Sequence, residues 1–324
     1  MKGLSREVIR PNIVSFTLSL IVAFLLWAKD IFMPDANYDN KLFFNIFHFP
    51  EHNVWIGFIS TVGMAYLLFK ALDKISFIQQ RTFLPFLVFI LLAGGNTPLH
   101  SLTNGIIGSF FLLLSIWQVY STFHKNEPIQ EVFNAGMFLS IGYFFVFDFL
   151  FLIPVVFISF LIINNLSLRI FLSTLLGLLT PAIIIFGFSF WMGSMDAQLN
   201  YFNNGIQFDF DFSIVNHLSL VFTGIFTLIS LISLFGCYQN RFNSSVSERK
   251  NLQVIVWYFA AILILIWVRI TQKSEILPSF LVICTLLISI FFSTRFSKKN
   301  TILFIVLILF QVINLILGYN GQFS

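Results

Sequence analysis

Eleven apolar runs with short polar connections dictate what this chain can become. They cover 11–28, 54–70, 83–95, 102–123, 132–147, 150–164, 170–191, 213–235, 253–271, 276–293 and 301–319. Crossing bilayer hydrocarbon takes about 20 residues of helix, because each residue advances about 1.5 Å. In lipid every backbone N–H and C=O must be satisfied internally, and runs this long achieve that as helices. The fold expected is all-α: a polytopic membrane protein of about 11 transmembrane helices. The whole of 1–324 reads as one integral membrane domain, with no soluble domain.

The composition excludes the alternatives. Of 324 residues, 58% are hydrophobic and 10% are charged, against about 25% charged in an ordinary soluble domain. Mean hydropathy is +0.90. A water-soluble fold of this size cannot hide so much apolar surface. Soluble enzymes, disordered chains and nucleic-acid-binding domains are thereby set aside. The net charge of +4 reads as a cytoplasmic Lys/Arg excess, not as a nucleic-acid footprint. Two cysteines, Cys237 and Cys284, carry no disulfide or thiolate-metal pattern.

The few charges set orientation. With the N-terminus inside, Lys2, Arg6, Arg10, Lys70, Lys74, Arg81, Lys125, Arg169, Arg241, Arg249, Lys250, Arg295, Lys298 and Lys299 fall on the cytoplasmic side. Only Lys29, Lys41, Arg269 and Lys273 fall outside. Basic residues are retained on the cytoplasmic face, so the expected topology is N-in and C-out in a bacterial inner (cytoplasmic) membrane. The first run is followed by Trp27-Ala28-Lys29-Asp30, which lacks a small-residue cleavage site, and reads as an uncleaved helix.

The acids distribute the opposite way. Asp30, Asp35, Asp39, Glu51, Asp148, Asp196, Asp209, Asp211 and Glu275 lie on the expected outer side, with His48, His52, His100 and His217. Asp148 sits at the tip between two short, largely aromatic segments, where a carboxylate needs water or a partner. Gly94-Gly95-Asn96-Thr97-Pro98 makes a second outer turn. There Asn96 and Thr97 suit capping, and His100 could line a cavity. His48-Phe49-Pro50-Glu51-His52 matches a zinc-protease pattern in letters. Pro50 prevents both histidines from sharing a helix face, so the segment reads as a loop. The sequons at Asn165 and Asn243 face the cytoplasm. No nucleotide-binding or heme-ligand motif occurs, and no cofactor or metal is expected.

Two patches carry a resemblance. Thr82-Phe83-Leu84-Pro85-Phe86-Leu87 precedes Leu112-Leu113-Leu114-Ser115-Ile116-Trp117. Phe133-Asn134-Ala135-Gly136-Met137-Phe138-Leu139-Ser140-Ile141-Gly142 precedes Leu176-Gly177-Leu178-Leu179-Thr180-Pro181. Over roughly 80–190 they resemble an uncharacterised family of multi-pass inner-membrane proteins from Bacteroidota. The layout is also similar to the membrane core of GT-C glycosyltransferases: a first helix, an acidic outer loop, paired helices and a Gly-rich short pair. That resemblance implies an acid soon after the first helix, here Asp30 or Asp35, acting as base on a polyprenyl-phosphate-linked sugar. It also implies phosphate contacts from Lys29, Lys41 or Arg269; His100 and Asp148, by their own positions at the outer turns, are further candidates for substrate binding. The chain departs from the pattern in lacking an adjacent acidic pair and a large periplasmic domain.

Three functions fit these residues. The first is a non-catalytic membrane subunit or scaffold of a cell-envelope assembly, with membrane lipids and other membrane-protein subunits as partners. The second is a GT-C-like glycosyltransferase, and the third is a transporter or flippase. Nucleic acid is not an expected partner.

Overall fold

A computed structural model describes residues 13–32, 53–74, 82–123, 125, 127–163, 167–193, 195–196, 217–239, 245–269, 273–294 and 298–319. The sequon asparagines, the His48–His52 segment, Asp35 and Lys41 lie outside the described residues.

Described residues form eleven α-helices of at least eleven residues: α1 (Ile13–Phe32), α2 (Asn53–Lys74), α3 (Leu84–Gly94), α4 (Asn104–Ser121), α5 (Ile129–Phe145), α6 (Ile153–Ile163), α7 (Leu168–Trp191), α8 (His217–Gln239), α9 (Val246–Val268), α10 (Lys273–Thr294) and α11 (Lys298–Tyr319). Short 3-10 segments, Thr97–Leu99 and Phe147–Leu152, follow α3 and α5. No strand occurs among the described residues.

Seven of these helices are long and apolar enough to cross a membrane: α1, α2, α4, α7, α8, α9 and α10. The chain is a multi-pass membrane protein. For α3 and α6, of eleven residues each, length is the reason they fall outside that set. At about 1.5 Å per residue, α3 spans roughly 16 Å, about half of a bilayer's hydrocarbon. Of its eleven residues only Leu87 escapes full burial. A helix apolar all round suits such an interior position.

Helix starts depart from the apolar runs where caps intervene. The run beginning at 253 becomes a helix from Val246. There Ser245 and Glu248 form a capping box: Glu248 N–H donates to Ser245 Oγ at 3.3 Å, and Ser245 N–H donates to Glu248 Oε2 at 3.2 Å. This pairing satisfies two N-terminal donors and extends the helix back through polar residues. Similarly, Ser167 Oγ accepts from Ile170 N–H at 3.3 Å to start α7.

The chain divides into two compact units. The first comprises Met1–Ile106, Val215–Glu248 and Leu281–Ser324. Here α3 packs with α1, α2 and α11. Phe83 contacts Phe16, Phe69 and Phe86, with ring centroids 4.6 to 5.9 Å apart. Phe310 of α11 meets Phe222 and Phe226 of α8. Cys237 and Cys284 are free and buried.

The second unit comprises Ile107–Ile214 and Arg249–Phe280. Its central contact is α5 against α7. A Cβ on Gly136 would stand 2.6 Å from the Thr174 carbonyl oxygen, and one on Gly177 would collide with the Phe133 carbonyl. The two glycines therefore let the backbones touch, as small residues do between membrane helices. Ser173 Oγ donates to Ile129 O at 2.9 Å across the same seam. On the other side of α5, Ser115 Oγ of α4 donates to Ala135 O at 2.8 Å. Tyr120 OH ties α4 to α9 by donating to Asn251 O at 3.2 Å.

Candidate functional site

In the first unit, α1 buries one narrow stripe: Ser15, Ser19, Ala23, Trp27 and Asp30. The spacing of four, four, four and three keeps them on one face. Ser19 Oγ donates to Ser15 O at 2.8 Å, so its hydroxyl is satisfied within the helix. Asp30 closes the stripe at the C-terminal end of α1, where helix carbonyls already carry negative charge. A buried carboxylate there requires a partner. His100 supplies it, reaching back from the end of the 3-10 turn to pair its Nδ1 with Asp30 Oδ2.

Both residues are fully buried, at 0% and 1% exposure. His100 Nε2 lies 3.0 Å from the Gly94 carbonyl oxygen. A carbonyl can only accept, so Nε2 is the donor there, and Nδ1 faces the carboxylate. Trp27 stacks on the imidazole, with centroids 4.3 Å apart, and its Nε1–H donates to His100 O at 3.3 Å. A Cβ on Gly57 of α2 would collide with that same carbonyl. Backbone contact at Gly57 thus holds the turn that carries His100.

In the second unit, Asp148 sits in the first turn of the 3-10 segment Phe147–Leu152. Arg269 follows α9 directly, and its N–H still donates to Leu265 O at 2.8 Å. A cation there complements the helix terminus. Its Nε lies 2.7 Å from Asp148 Oδ1, with side chains 2% and 1% exposed. The guanidinium also lies over the Phe147 ring, 5.7 Å from its centroid. Asp148 stands in the turn before α6, outside the seven long spans. Burial pushes its carboxyl above the usual range, and Arg269 opposes that shift. Glu275, at the start of α10, is within electrostatic reach of both Asp148 and Arg269.

The structure therefore pairs Asp30 with His100 and Asp148 with Arg269, each within one unit. Lys29 is exposed beside Asp30. Asn96 caps differently from the expectation of a helix start: its Nδ2–H donates to Leu92 O at 2.6 Å, covering a carbonyl at the end of α3. No side-chain bond caps the 3-10 turn that Asn96 precedes.

Trp27, Gly57, Gln311 and Asn314 belong to these surroundings without having been singled out in the sequence. For Trp27 a signal existed, since Ser15, Ser19 and Ala23 form a small-residue stripe that points to Trp27 and Asp30 as buried. Gln311 and Asn314 stand out only as an amide pair three residues apart in the last apolar run.

The arrangement defines a multi-pass helical membrane protein with two buried ionisable pairs, Asp30–His100 and Asp148–Arg269, among its described residues. The match to a family of unknown function, DUF6427, runs over residues 11–319, and the chain belongs to that family. No curated protein and no solved structure matches the chain.

Proposed function

We propose that the chain is a non-catalytic integral membrane subunit or scaffold of a bacterial cell-envelope assembly. In this reading it lies N-in and C-out in the inner membrane, its seven long apolar helices joined by α3, α5, α6 and α11 to make about eleven passages. The observation that carries the reading is the enclosure of Asp30. The acid best placed by sequence to act as a base is 1% exposed and held by His100. Asp148 and Arg269, offered as substrate contacts, are likewise taken up by each other at 2.7 Å. Buried pairs of this kind fix helices relative to one another rather than present charge to a ligand. The long apolar faces remain for lipid and for neighbouring membrane subunits. On α7, for example, Leu176, Ile183, Ile184, Phe188 and Trp191 are all exposed.

The test is the composition of the particle released from native membranes into lipid nanodiscs. The scaffold reading predicts a stoichiometric second membrane protein that remains bound through purification, and no turnover of polyprenyl-phosphate sugar. A lone protomer would contradict it.

A second reading, a GT-C-like glycosyltransferase, is favoured by the same contact seen as chemistry. An imidazole in contact with a carboxylate can share the proton that a base must accept. Under that reading Asp30 is the base, and D30N abolishes sugar transfer while leaving the fold intact.

A further inference from the structure

Gln311 of α11 is 1% exposed, and neither its Oε1 nor its Nε2 has a hydrogen-bond partner. A carboxamide carries two donors and an acceptor, and leaving all of them unpaired away from water is costly. The cost is greater where the surroundings are apolar on every side, as in a membrane-spanning bundle.

Two asparagines and a glycine lie close to it. Oε1 lies against Gly95, where a Cβ would collide with it. Asn314, three residues on and on the same helix face, is also 1% exposed. Its Nδ2–H donates to Asn96 Oδ1 at 3.2 Å, while Asn96 donates in turn to Leu92 O at 2.6 Å. Gly94, one residue before Gly95, is the acceptor for His100. One turn, 94–100, thus faces Asp30 of α1 with its histidine and α11 with its glycine and asparagine. All of these residues belong to the first unit.

The donor and acceptor inventory selects the ligand. An anion cannot donate to Oε1, and a metal or ammonium ion cannot accept from Nε2. A hydroxyl does both through one oxygen, and is neutral, as a buried apolar setting demands. We infer that Gln311, with Asn314 and Asn96 beside it, forms a hydroxyl-binding site against the same turn, 94–100, that carries His100. The hydroxyl belongs either to a bound water or to a sugar-like polyol. The site is independent of whether the chain is a scaffold or an enzyme.

The experiment uses the full chain in lipid nanodiscs, with glutamine side chains labelled with 15N, and proton-detected solid-state NMR. The Gln311 amide signal is assigned by its loss in Gln311→Met. If that variant does not fold, Gln311→Asn serves, since it keeps a carboxamide and, being unlabelled, also removes the signal. Transfer from the Gln311 amide protons to the water resonance identifies water as the source. Transfer to 13C-labelled methyl α-glucoside, added as the probe, with loss of the water transfer, identifies a polyol hydroxyl. A resolved Gln311 signal with no transfer to either overturns the site.

Discussion

Removing either partner of the Asp148–Arg269 pair while keeping the other should be costly. At 2.7 Å and an effective dielectric of about 20, Coulomb's law gives an attraction of about 6 kcal/mol. Desolvating both ions takes back most of that, so the pair contributes little net stability. The asymmetry lies in the singles. Arg269→Met leaves Asp148 buried at 1% exposure without its cation, and such breaks cost about 3–5 kcal/mol. Asp148→Leu removes the carboxylate 2.7 Å from the guanidinium and leaves Glu275 as a more distant acid, and should cost a similar amount. The double variant, Asp148→Leu with Arg269→Met, removes both charges and should lie within about 1–2 kcal/mol of the wild type. The assay is reversible unfolding in mixed micelles, read for all four proteins of the cycle. Were the pair solvated and weak, each single change would cost about 1 kcal/mol or less and the costs would add. Additive, small effects would refute the reasoning.

Three further outcomes follow from the packing. Gly177→Ala places a methyl against the Phe133 carbonyl, so α5 and α7 must separate, at about 1–3 kcal/mol in the same unfolding assay. Ser167→Ala removes the acceptor for Ile170 N–H and should cost about 1 kcal/mol. Glu127→Gln breaks the pair with Arg169, whose side chains are 67% and 74% exposed, and should leave the melting temperature unchanged within error.

The helices were legible because lipid leaves a chain few options, and a long apolar run is read directly as helix. Their ends were less so. The start of α9 at Val246 depends on the Ser245–Glu248 capping box, a polar signal that hydropathy alone passes over. For α3, a run of eleven apolar residues fits a buried interior helix as well as part of a span, and only its surroundings decide. The candidate site divides in the same manner. Charge counting picked out Asp30, His100, Asp148 and Arg269 because ionisable groups are scarce. Their pairing was beyond reach, since Asp30 and His100 are 70 residues apart and meet where the turn after α3 folds back onto α1. Gln311 and Asn314 are uncharged, so the scarcity of charge does not mark them.

The most direct measurement of the central claim is Asp30→Asn, produced in native membranes and read for fold and assembly together. The scaffold account predicts coupled losses: a lower melting temperature, from a weakened contact with His100, and reduced recovery of the partner subunit. A variant that keeps the wild-type melting temperature and its assembly, yet loses transfer of a lipid-linked sugar, would contradict the account and make Asp30 a catalytic base.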